Sequence, residues 1–104
     1  MKYIIDVDGT ICNNTDGNYH NAIPNEGRIA KINKLYDEGH QIIYLTARGM
    51  GRHSNNADLA KERFYELTEL QLRLWECKYH ELFLGKPSGD YYIDDKGINS
   101  NDFF

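Results

Sequence analysis

The chain has 104 residues, 40% of them hydrophobic and 27% charged, which is the composition of one folded domain with no room for a second. Sixteen acidic residues against twelve basic ones give a net charge of -4, which argues against general affinity for nucleic acid or anionic lipid. No apolar run approaches the roughly 18 residues of a membrane helix, and Asp6 interrupts any secretory apolar core, so a cytoplasmic location with no membrane association is expected.

Taken in chain order, Tyr3-Ile4-Ile5-Asp6-Val7 is a short apolar run ending in acid and glycine, as a buried strand would. Asn13 to Asn21 is polar and turn-rich, and predicts a surface flap. Pro24-Asn25-Glu26 predicts a helix start, with Ile29, Ile32, Leu35 and Tyr36 on one face and Gly39 as the terminator. Gln41 to Thr46 predicts a second strand. Asn55-Asn56 opens a long helix whose stripe is expected to hold Leu59, Arg63, Leu67, Leu70 and Leu74. Glu81-Leu82-Phe83-Leu84 and Tyr91-Tyr92-Ile93 predict two further strands. Strands alternating with helices predict an α/β fold, a Rossmann-like three-layer sandwich around a short parallel sheet.

Ligands of such sheets gather at the carboxyl ends of the strands, so the polar residues just past each strand are the candidates for a site. Asp6-Val7-Asp8-Gly9-Thr10 closes the first strand; a calcium loop starting at Asp6 fails, because Ile11 stands where its glycine belongs and Gly17 where its glutamate belongs. Thr46-Ala47-Arg48 closes the second, offering a hydroxyl, a backbone N–H and a guanidinium to an anion, although a threonine there more often caps a turn. Lys86, held between Gly85 and Pro87, comes after the third. Asp94-Asp95 comes after the fourth, an acid pair that a divalent cation would relieve and that otherwise reads as a charged turn. Each cluster alone is ordinary; all four in this order point to one charged rim. Cys12 and Cys77 form neither a disulfide framework nor a zinc pattern, and read as reduced thiols.

These clusters resemble the four motifs of the haloacid dehalogenase superfamily of phosphohydrolases. Asp6 to Thr10 matches the first motif, Ile42 to Thr46 the second, Lys86 the third and Tyr92 to Asp95 the fourth. The resemblance implies Asp6 as nucleophile and Asp8 as acid and base, with Thr46, Ala47, Arg48 and Lys86 binding the phosphoryl group. It also implies magnesium held by Asp6, the Asp8 carbonyl and Asp95, with Asp94 as a supporting or alternative ligand. The spans from Thr10 to Thr46 and from Thr46 to Lys86 each hold one helix, one strand and loops, so no cap domain is expected.

The expected activity is magnesium-dependent hydrolysis of a small phosphorylated metabolite, a sugar phosphate or nucleotide. The alternatives are a phosphatase of nucleic-acid ends, similar to the 3'-phosphatase part of polynucleotide kinases, and a non-catalytic phosphoryl- or metal-binding module. Arg48, Arg52, His53, Lys61 and Arg63 form a local basic run suited to an anionic leaving group. Apolar residues wrapping more than one face of the long helix also suggest contact with a second copy of the chain.

Overall fold

Tyr3, Ile5, Ile42, Tyr44 and Leu82 share one face of a three-stranded parallel sheet, and that face carries the core. In this computed structural model, which describes all residues from Met1 to Phe104, the strands are β1 (Lys2–Ile5), β2 (Gln41–Thr46) and β3 (Glu81–Leu84), in the order β1-β2-β3. The helices are α1 (Glu26–Asp37), α2 (Ala57–Leu74) and the short α3 (Ser100–Phe103). Parallel pairing sets Tyr3 opposite Ile42, Ile5 opposite Tyr44, and Tyr44 opposite Leu82, so alternate residues point the same way in all three strands. Strands taken in sequence order through right-handed crossovers put α1 and α2 on one side, where Ile29, Ile32 and Leu72 join the same core. Of the three layers expected, these two helices therefore supply one and the sheet another. On the opposite face Ile4 and Phe83 remain exposed.

The first helix forms where the sequence indicates. Asn25 caps it by accepting the Arg28 N–H at 3.1 Å, and Ile29 and Ile32 are buried with Leu35 and Tyr36 packed beside them. Gly39 ends it in the left-handed region at φ 96°, its N–H returning to the Tyr36 carbonyl. Burying a side chain such as Ile32 or Leu72 stabilises the fold by about 1.5–3 kcal/mol each. No helix is long and apolar enough to cross a membrane, and both cysteines are free.

Two expectations need correction. The first is the buried face of α2. Asn56 caps the helix as expected, accepting the Leu59 N–H, yet Ala60, Phe64, Thr68, Gln71 and Leu72 turn inward. Arg63 is exposed, as are Leu59, Leu70 and Leu74, the last at 69%, so the expected leucine stripe is largely the outer face. The rotation has a polar cause: the buried guanidinium of Arg48 draws Thr68 and Gln71 toward the core.

The second is the fourth strand. Tyr91, Tyr92 and Ile93 pair with no strand and are 86%, 55% and 94% exposed. Local bonds fold this segment on itself: the Tyr92 hydroxyl donates to the Pro87 carbonyl at 2.7 Å, and Asp94 accepts the Lys96 and Gly97 N–H groups. The first strand is also shorter than expected. Val7 is buried but already begins a turn, its carbonyl accepting the Thr10 and Ile11 N–H groups.

Candidate active site

Asp6 stands immediately beyond β1. One of its oxygens accepts the Thr10 hydroxyl at 3.3 Å, and the other lies 3.7 Å from Lys86 Nζ. The turn that returns Thr10 to Asp6 runs through Gly9 at φ 81°, a conformation glycine adopts without strain. Burial raises the Asp6 pKa above the ordinary carboxylate value. Lys86 pulls it back, as does the Val7 N–H; Asp8 pushes it up again and the Thr10 hydroxyl lowers it slightly.

Lys86 reaches Asp6 because its backbone is anchored. Its N–H donates to the Thr46 carbonyl at the end of β2, and Gly85 before it takes φ 107°. The ammonium sits 4.3 Å from the centre of the Tyr92 ring, which limits its freedom without neutralising it. Thr46 itself is buried, and its hydroxyl oxygen accepts the Arg48 N–H at 3.2 Å. Thr46 is thus a turn cap in addition to being a candidate phosphoryl contact. Ala47 lies between them, half-buried.

Arg48 departs most from expectation. Its side chain is 0% exposed and its fork faces the protein interior. Nε donates to Asp8 Oδ2 at 2.9 Å and Nη2 to Asp8 Oδ1 at 3.0 Å, a two-point grip on a carboxylate that is itself 18% exposed. Nη1 donates to the Thr68 hydroxyl and to Gln71 Oε1. Arg48 as placed serves Asp8 and is not turned toward a substrate. Each acid of the first motif thus has its own cation, Lys86 for Asp6 and Arg48 for Asp8.

The rest of the basic run is also turned inward or over rings. Arg52 donates to the Gly17 carbonyl and lies over Phe64, while Lys61 lies over Tyr65. Asp94 and Asp95 lie on the exposed segment beyond Pro87, with Asp94 occupied by its own turn. No group of three acidic, histidine or cysteine side chains comes together anywhere, so Asp6, Asp8 and Asp95 do not form the carboxylate set that a magnesium ion would need. An open groove of about 720 Å³ abuts the site through Gly9 and Thr10, with Pro24, Glu26 and Arg28 on its far wall.

Thr10, Thr68, Gln71 and Tyr92 also belong to this arrangement, and the sequence alone does not mark them as site residues. Thr68 and Gln71 carry a signal: two polar residues three apart on a helix face that is otherwise apolar.

No family model matches the chain, and no curated protein matches it significantly. Among solved structures, the crystal structure of an MCSG target from Vibrio cholerae is similar at a TM-score of 0.89 and 27% sequence identity, over 98% of this chain and 85% of that one. The α/β architecture is thus shared with a solved protein along nearly the whole chain.

Proposed function

We propose that this protein is a phosphomonoester hydrolase with a haloacid-dehalogenase-like core and no cap, in which Asp6 accepts the phosphoryl group. The observation that carries the reading is the setting of Asp6. It is a largely desolvated carboxylate at a strand end, 3.7 Å from a lysine ammonium, with a second acid and a buried threonine beside it. Lys86 offsets the repulsion between a phosphate dianion and Asp6. An Asp6 oxygen attacks phosphorus, the bond to the ester oxygen breaks, and Asp8 gives its proton to the departing alkoxide. Water then attacks the aspartyl-phosphate, Asp8 takes the water proton, and inorganic phosphate leaves with Asp6 regenerated.

The groove beside Gly9 and Thr10 gives room for the leaving group of a small sugar phosphate or nucleotide. The magnesium ion implied by the resemblance does not fit the residues as they stand, because the third carboxylate is absent from the group, so the steps rest on Asp6, Asp8 and Lys86. The test is hydrolysis of a panel of phosphate esters with and without added magnesium, by wild type and Asp6→Asn. Release of phosphate from at least one ester by wild type and from none by the variant is expected; equal rates on every ester refute the reading.

A further inference from the structure

Between the flap and Asp8 runs a continuous buried chain of hydrogen bonds. Gln71, on the inner face of α2, uses both ends of its amide: Oε1 accepts from Arg48 Nη1, and Nε2 donates to the Tyr19 carbonyl at 2.7 Å. Tyr19 belongs to the flap, in a 3-10 turn at Tyr19–Asn21. Its hydroxyl accepts the Gly49 N–H at 2.8 Å, its ring lies 5.0 Å from the Arg48 guanidinium carbon, and its edge meets Phe64. Arg48 then holds both oxygens of Asp8.

A buried ion pair of this kind is a poor source of stability, because desolvating two charges cancels much of their attraction. Its effect lies in direction. A planar guanidinium gripping a carboxylate at two points fixes the plane of the acid, which a lysine cannot do.

We propose that Arg48 and Gln71 are positioning residues that set the orientation of Asp8 and couple it to the seating of the 13–21 flap. The catalytic part of this rests on the phosphatase reading; the coupling part does not. Neither residue touches the reacting groups, so both act through Asp8.

The experiment has two arms. In the first, amide hydrogen exchange is followed at Gly49 and Ala22 in wild type, Asp8→Asn and Gln71→Met, each checked for cooperative melting. Faster exchange at these flap-linked amides in both variants is expected, whether or not the protein is an enzyme. Unchanged flap exchange in Asp8→Asn overturns the coupling.

In the second, kcat and KM are measured on whichever ester wild type hydrolyses. Arg48→Lys and Gln71→Met are expected to lower kcat by about 10- to 100-fold with KM little changed, the loss a misplaced catalytic group produces. Glu62→Gln, on the exposed face of α2, should leave kcat as it is. Should Arg48→Lys fail to fold, Gln71→Met decides alone, since it removes the hydrogen bonds at nearly constant volume. Full kcat in Gln71→Met overturns the positioning role. A wild type inert toward all esters defeats the proposed function instead, and the exchange arm still judges the coupling.

Discussion

Burial and Lys86 act on Asp6 in opposite directions, and both leave a signature in pH. As nucleophile Asp6 must be ionised, so the acid limb of kcat/KM is expected above the usual carboxylate range. Lys86→Met removes the main group lowering that pKa, so the limb should move further up while the maximal rate falls. A limb unmoved by the substitution counts against Lys86 as the partner of Asp6. The same shift bears on stability. A carboxyl whose folded pKa is raised stabilises the fold fully below its unfolded pKa, and that contribution is lost as pH rises through the folded value. Asp6→Asn is therefore expected to melt above wild type at neutral pH, with the gap closing toward acid pH. Thermal melts across a pH series check this, and a gap that widens toward acid contradicts it. The thiols give a further check. Burial, with Asp8 alongside, pushes Cys12 up to about 12, and burial pushes Cys77 up to about 11. Both should react slowly with a thiol reagent at pH 8 in the native protein and rapidly once it is unfolded.

The two faces of α2 separate what hydropathy indicates from what packing decides. Leu72 is fully buried, and Leu72→Ala is expected to cost about 2–5 kcal/mol, whereas Leu70→Ala, at a site 48% exposed, should cost under about 1 kcal/mol. Denaturant melts of the pair decide which face is inside; the reverse ranking would restore the leucine stripe. At Gly49, φ is 78° and an added Cβ would meet the Phe64 ring at 2.6 Å and Ala60 Cα at 3.2 Å. Gly49→Ala is accordingly expected to cost about 1–3 kcal/mol. Strands β2 and β3 and the start of α1 were legible from the sequence because local signals, apolar runs and an asparagine cap, coincide there with the tertiary outcome. The face of α2 was not, because Thr68 and Gln71 turn inward for Arg48, a partner on a different element. Nor was the state of Tyr91-Tyr92-Ile93, since an apolar run indicates a strand and does not say whether an edge accepts it.

Across the molecule, the charged rim was legible in part for a geometric reason: the residue after a parallel strand is delivered to the same end of the sheet each time. Asp6, Asp8, Thr46 and Lys86 obey that rule, and Asp6 meets Lys86 as the order of strands implies. Arg48 obeys it too, but its destination depended on the unpaired charge of Asp8, which no local pattern reveals. Asp94 and Asp95 come after a strand that did not form. The exposed stretch from Tyr91 to Ile98 should be the first place a protease enters, with early chymotryptic cuts at Tyr91 and Tyr92; first cuts in the flap would contradict this placement. The pairing of Asp6 with Lys86 also has a temporal side. During synthesis Asp6 emerges almost at once, while its counter-charge comes only after β2, α2 and β3 have been added. A nascent chain halted before β3 holds an acid without its cation, so the assembled cluster reports that translation has passed the third strand.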